Sequence, residues 1–178
     1  MLKDYINNKP TIESKRLILR PMNRNDVNDL KEWTPNKEIY KYWGKNPGKN
    51  DLHPELMFEK KEKPSKSFHL GILLKENNKV IGDIYIYLIE RDKKGKVAIR
   101  LNPVYHNMGI GTEAVDTMVK WCFKNTELET IWTDVDMKNI PSIRILEKSG
   151  FQKTKEVIQG KAVSVICDYY VYEISKGK

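Results

Sequence analysis

The stretch from Asn102 to Val115, NPVYHNMGIGTEAV, sets two glycines, Gly109 and Gly111, between a strand-like run and an amphipathic run. Glycine weakens regular structure, so two of them at a helix entry mark a backbone that bends sharply or admits something very close. A helix N-terminus turns unpaired N–H groups outward and carries partial positive charge, which suits a phosphate. A Walker loop is excluded, because Thr112 follows Gly111 with no lysine between them. A dinucleotide fingerprint is a closer rival, since Gly109-Ile-Gly111-Thr-Glu-Ala114 satisfies G-x-G-x-x-A with Asp134 and Asp136 downstream. That fold wants a tight turn straight after its strand and further βαβ units. Here Pro103 to Met108 intervene, and the chain ends in two adjacent strands. In TIWTDVD, Asp134 and Asp136 share a strand face with Trp132, opposite Ile131, Thr133 and Val135. The three histidines are scattered with no pair at ligand spacing, so no metal is expected.

The elements that must hold these residues follow from the hydrophobic pattern. RLILRP reads as a strand ended by Pro21. Asn23 or Asn25 caps a helix carrying Val27, Leu30 and Trp33 at helical spacing. A second short helix spans 36–44 and closes on Gly44, GKNDLHP is a loop, and 54–63 is a third helix or an irregular segment. Strands at 67–76 and 79–90 flank a two-residue turn, Asn77-Asn78; the second is apolar on both faces and so central. A strand at 96–102 leads through the glycine loop to a helix at 112–125, whose buried stripe is Ala114, Val115, Met118, Val119 and Cys122. A strand at 129–136 precedes a helix from Asn139 to Gly150, and two strands around Gly160 end the chain. The result is a mixed α/β (α+β) sheet with helices on its faces, built as one domain over 1–178.

Composition narrows the class. At 178 residues, 39% hydrophobic and 31% charged, the chain is an ordinary folded domain rather than a disordered one. No apolar run is long enough for a signal peptide or a membrane span. Cys122 and Cys167 lie in apolar patterns, which indicates a reduced, cytoplasmic setting. The net charge of +8 is spread without a basic block, so neither nucleic acid nor membrane is expected as a partner.

The residues resemble the GNAT acyltransferases. That family opens a helix with Arg/Gln-x-x-Gly-x-Gly/Ala; this chain has His106-Asn-Met-Gly109-Ile-Gly111 after Leu101-Asn-Pro103. A second segment, Asn139-Ile-Pro-Ser142-Ile-Arg144-Ile-Leu146-Glu147-Lys148-Ser-Gly150-Phe151, is similar to the family's N-x-x-S-x-R-x-x-E-K-x-G-F. A third, Arg16-Leu-Ile-Leu-Arg20-Pro21 followed by Asp26, resembles the ribosomal-protein N-acetyltransferase branch. The resemblance implies a mostly antiparallel twisted sheet of about seven strands with a splay between the fourth and fifth. It implies acetyl-CoA as co-substrate, with its diphosphate on the backbone of His106, Asn107, Met108, Gly109, Ile110, Gly111 and Thr112. A side chain at 109 or 111 would hold that backbone away. The pantetheine arm would pair with the strand at Ile99 and Leu101, near Asn139 and Ser142.

The resemblance also shapes the catalytic reading. The tyrosine that serves as acid in much of the family is replaced by Leu146, so Ser142 is the substitute, or else it only caps the helix or holds the cofactor. Asp134 is the candidate base, acting through water; Asp136, Asp83 and Asp168 are weaker. Trp33, Tyr40 and Trp43, with Tyr42 and Phe58, are expected to line the acceptor site, or else to form an aromatic part of the core. The acceptor would be a primary amine, by resemblance a protein or peptide N-terminus, with a small polyamine or aminoglycoside as the alternative. A CoA-binding protein without catalysis and an NAD-binding oxidoreductase are the remaining readings. Both cysteines read as inert buried thiols, so the amine would attack the thioester directly in a ternary complex, in a monomer or homodimer.

Overall fold

The computed structural model describes Tyr5 and residues 8–43, 45–59, 67–89, 93–162 and 165–177. Its strands are β1 (Ile12–Glu13), β2 (Leu17–Arg20), β3 (Ser67–Leu74), β4 (Val80–Ile89), β5 (Lys94–Leu101), β6 (Thr130–Asp136), β7 (Gln152–Ala162) and β8 (Val165–Ser175). Its α-helices are α1 (Val27–Trp33), α2 (Lys49–Leu52), α3 (Ile110–Asn125) and α4 (Ile140–Lys148). The strands form one sheet in the order β1-β2-β3-β4-β5-β6-β8-β7, antiparallel throughout except between β5 and β6. The described residues thus give eight strands against about seven expected. The addition is β1, whose two residues are too short to show alternation.

The parallel β5–β6 ladder pairs only Lys94 with Thr130, Gly95 with Ile131 and Lys96 with Trp132. β5 runs on to Leu101 and β6 to Asp136 without further pairing, so the two strands diverge into a V. This is the expected splay, shifted to the fifth and sixth strands by the presence of β1. Backbone groups on the facing edges beyond Lys96 have no ladder partner and are open to a guest.

Each sheet face buries its own apolar cluster. On one, α3 and α4 lay Ile110, Ala114, Val115, Met118, Val119, Cys122, Ile143 and Leu146 against Leu17, Leu70, Ile84, Val97 and Ile131. On the other, Leu30 and Trp33 of α1 pack with Leu73 and Val80. β4 is central, flanked by β3 and β5.

Several local readings change. The 36–44 helix is a 3-10 turn at Lys37–Tyr40, and the 54–63 helix is a 3-10 segment at Pro54–Phe58. Gly44 and residues 60–63 lie outside the described residues. The expected loop at 48–54 contains α2, opened by Asp51, whose Oδ2 accepts from Gly48 N at 2.8 Å. The β3–β4 turn has four residues rather than two: Leu74 N donates to Lys79 O, and Asn78 takes φ +58°.

The Asn139–Phe151 motif is explained by its packing. Asn139 Oδ1 accepts from Ser142 N at 3.3 Å to cap α4, and Ile143 and Leu146 enter the core. Glu147 accepts from the Tyr172 hydroxyl of β8 at 3.0 Å, Gly150 turns the chain at φ +82°, and Phe151 is buried.

Candidate active site

A cleft runs from the N-terminus of α3 to the V between β5 and β6. Its first part, about 480 Å³, is lined by Ile99, Leu101, His106, Asn107, Gly109 to Thr112, Asn139 and Ser142, with Lys41, Arg144 and Lys148 among its cations. Asn107 at φ +61° and Gly109 at φ +73° bend the chain into α3, and no side chain caps that helix. An uncapped helix start with glycine at its turn fits an anionic group, and these residues would hold the diphosphate of acetyl-CoA.

Within the loop, individual residues play different parts. The His106 ring pairs Nε2 with Leu101 O at 3.1 Å, which ties the loop back to β5. Met108 is exposed and does not line the cleft, while its carbonyl accepts from Arg16 Nη1 at 2.9 Å. The Ile110 side chain turns into the core, leaving only its backbone to the cleft. Gly111 has a packing reason that the sequence reading lacked. It is buried, and a β-carbon there would stand 2.6 Å from Ile145 Cδ1 of α4. Its missing side chain lets α3 pack on α4.

The second part, about 350 Å³, opens between Val97 to Ile99 on β5 and Thr133 to Asp136 on β6. Tyr42, Trp43, Ile99, Asn139, Ser142 and Ile145 border both parts, so the two are continuous. Ser142 sits at that junction. Asp134 also lines the V, but Lys96 Nζ from β5 meets its Oδ1 at 2.6 Å, a bridge across the point where the strands part. Asp136 Oδ1 accepts from Lys138 N at 2.7 Å. Leu146, at the family's tyrosine position, supplies apolar wall. Two tyrosines border this end, Tyr42 and Tyr87; the Asp83-Ile-Tyr85-Ile-Tyr87 alternation on β4 was the available signal for Tyr87. Cys167 is not buried as expected but half-buried in the V beside Asp136; desolvation and that carboxylate push its thiol up. Cys122 is buried in α3, and burial pushes it up to about 12. Neither thiol is poised as a nucleophile. Strand alternation puts Val163, Val165 and Val171 on the face of Cys167, and Val163 lies outside the described residues.

Trp33 and Tyr40 do not reach the cleft. Each is 1% exposed. Trp33 Nε1 donates to Val80 O at 3.2 Å, and the Tyr40 hydroxyl donates to Thr34 O at 2.9 Å. Both rings lie against the guanidinium of Arg100, which the sequence reading missed. Arg100 Nε donates to Asp83 Oδ1 at 2.9 Å and Nη2 to Asp83 Oδ2; Nη1 donates to Asp51 Oδ1 at 2.8 Å and to the Tyr40 hydroxyl at 3.1 Å. The Tyr85 hydroxyl donates to Asp83 Oδ2 at 3.0 Å, and His69 Nε2 lies 3.1 Å from the same oxygen. Burial alone would raise the Asp83 carboxyl, but the charge and hydrogen bonds of Arg100 hold it well below the usual range. This buckle ties Tyr40 and Asp51 to β4 and β5, and Tyr42 and Trp43, just after Tyr40, line the cleft. Asp83 is therefore a structural anchor.

Comparison with known proteins agrees with this geometry. Residues 16–152 match the acetyltransferase (GNAT) domain. The chain belongs to the GNAT acetyltransferase family. It is 26% identical over 142 residues to the N-acetyltransferase YnaD of Bacillus subtilis, covering 80% of this chain and 82% of that protein. It is 25% identical over 180 residues to aminoglycoside N(6')-acetyltransferase type 1 of Klebsiella pneumoniae, covering 92% and 88%. The fold is shared with a GNAT-family acetyltransferase from Bacillus anthracis, with a TM-score of 0.82 at 23% identity over 95% of this chain and 100% of that one. It is also shared with the ribosomal-protein-S5-alanine acetyltransferase of Vibrio fischeri, with a TM-score of 0.77 at 20% identity over 96% and 98%. A spermidine N-acetyltransferase of Vibrio cholerae, solved with CoA and spermine, gives a TM-score of 0.77 at 17% identity over 93% and 98%. GNAT enzymes use acetyl-CoA, and this chain is an N-acetyltransferase. Among the described residues no group of three or more His, Cys, Asp or Glu could hold a metal, and no helix is long and apolar enough to cross a membrane.

Proposed function

We propose that the protein transfers the acetyl group of acetyl-CoA to a protein or peptide N-terminal amine by direct attack in a ternary complex. The observation that carries this reading is a single cleft with two chemically opposite ends. One end has an uncapped helix start beside Lys41, Arg144 and Lys148, and the other has Asp134 and Asp136 beside Tyr42, Trp43 and Tyr87. An anionic nucleotide fits the first and an ammonium fits the second. The free edge of β5 from Val97 to Leu101 offers backbone groups to the pantetheine arm, which directs the thioester to the V beside Ser142.

The amine must lose a proton before it attacks. Lys96 holds Asp134 Oδ1, which leaves Oδ2 for a water or the incoming ammonium. Ser142, beside the junction, is the donor to the departing thiolate. A thiolate whose thiol pKa is about 8.5 leaves readily, so its protonation contributes modestly. A second reading, a small polyamine or aminoglycoside acceptor, is favoured by the two carboxylates flanked by aromatic rings, which suit a compact polycation.

The test is thiol release from acetyl-CoA with three probes: a peptide with a free N-terminal alanine beside its N-blocked counterpart, spermidine, and kanamycin. Release with the free peptide and not the blocked one supports the first reading. Release with spermidine or kanamycin alone replaces it with the second. No release with any amine, or no calorimetric binding of acetyl-CoA, sinks both. In the active pairing, Ser142→Ala should lower kcat more than it raises the KM for acetyl-CoA; a change in KM alone makes Ser142 a binding residue.

A further inference from the structure

The Arg16-Leu-Ile-Leu-Arg20-Pro21 segment has two arginines with different employment. Arg20 gives Asp26 two hydrogen bonds, 2.7 and 2.9 Å, and secures the entry to α1. Arg16 instead reaches across to the glycine loop. Its Nη1 donates to Met108 O at 2.9 Å, and its Nε donates to Glu113 Oε2 at 2.7 Å. One planar guanidinium thus bridges the residue before Gly109 and the first turn of α3.

We propose that Arg16 is a positioning residue for the cofactor loop, holding the Met108 carbonyl back against Glu113 so that the N–H groups opening α3 stay aimed at the cofactor diphosphate. The proposal rests on the acetyl-CoA reading above. Three observations carry it. First, the loop places Asn107 and Gly109 in the left-handed region, a turn that these two residue types adopt readily, and Met108 between them carries the carbonyl that Arg16 holds. Second, α3 has no side-chain cap; the His106 ring ties the start of the loop to Leu101 O, and the clamp on Met108 O holds its end next to Gly109. Third, Glu113 is an acid in the turn that would face an anion. Its Oε1 accepts from Arg16 N and Ser14 Oγ, both at 2.7 Å, and these bonds with Arg16 hold its carboxyl below the usual range despite burial. Arg16 neutralises a charge that would otherwise repel the diphosphate.

The arrangement also makes a clean variant available. Arg16 is half-exposed, and its backbone N–H and Ser14 hold Glu113 whatever the side chain is. Arg16→Met therefore removes the clamp and the neutralising charge without touching the core. The experiment is calorimetric binding of CoA and of 3′-dephospho-CoA to wild type, Arg16→Met and Arg16→Lys, with hydrogen exchange across 107–113 in the ligand-free proteins. Both nucleotides carry the diphosphate. Arg16→Met should raise both dissociation constants about tenfold and equally, the loss of one charge-assisted contact, and Arg16→Lys should recover part of it. Loop exchange should rise in Arg16→Met while the melting temperature stays near wild type. Unchanged affinity, a loss confined to CoA (which would mean direct contact with the 3′-phosphate), or unchanged loop exchange each overturns the proposal. Wild-type protein that binds neither nucleotide overturns the acetyl-CoA reading and the proposal with it; wild-type binding beside unaltered variants overturns the proposal alone.

Discussion

Replacing Asp83 with asparagine keeps the shape of the side chain and removes its charge. Asp83 is fully buried and takes two bonds from Arg100, itself 8% exposed. Breaking a buried pair from one side leaves an uncompensated charge, at a cost of about 3–5 kcal/mol. Asp51 remains on Nη1 of Arg100, so the lower end, about 3 kcal/mol, is expected. A domain stability of about 5–15 kcal/mol makes that a large share. At about 2–4 °C per kcal/mol for a chain of this length, Asp83→Asn should melt roughly 6–12 °C below wild type, read by differential scanning fluorimetry and checked by urea unfolding. The partner variant, Asp83→Leu with Arg100→Met and Asp51→Asn, removes the three charges together and should recover a substantial part of the loss, because none is left stranded. A fall of under about 2 °C, or a triple variant whose loss is the sum of the single ones, would refute the claim that desolvated charge governs this cluster.

Acid should unfold the protein through the same groups. Asp83, Asp51 and Glu113 all have folded-state pKa values below their ordinary ones, so their contribution is present above an unfolded value of about 4 and is lost as pH falls through the folded values; unfolding free energy followed from pH 5 downward should drop less steeply in Asp83→Asn. Gly111→Val should destabilise by about 1–3 kcal/mol by pushing Ile145, and Ile145→Ala in the same chain should restore much of it; a melting temperature equal to wild type would contradict the packing account. The double variant Cys122→Ala/Cys167→Ala should keep its turnover and give intersecting initial-rate plots, whereas parallel lines or acetyl trapped on a cysteine would overturn direct attack.

Much of this protein was legible locally. The glycine loop, the buried stripe of α3 and the helix from Asn139 to Gly150 could be read because capping, periodicity and left-handed turns act over three or four residues. The resemblance of the His106–Gly111 and Asn139–Phe151 segments to GNAT motifs pointed to the family, which the match over residues 16–152 bears out. What only the tertiary structure decided lies at longer range. Arg100 reads as an ordinary polar member of an alternating strand, yet its partners Asp83, Asp51 and Tyr40 stand 17, 49 and 60 residues away. The β4–β5 register that pairs Asp83 with Arg100 brings the first of them in, and the hydrogen bonds of Arg100 to Tyr40 and Asp51 bring the others. Trp33 and Tyr40 become core for the same reason: aromatic side chains carry no mark of burial until a charge cluster closes over them. The role of Gly111 depended on Ile145, which meets it only when two helices pack. The V between β5 and β6 entered the sequence reading only through the family resemblance, because the end of a ladder is set by how twisted strands diverge within the sheet, not by the residue types of either strand.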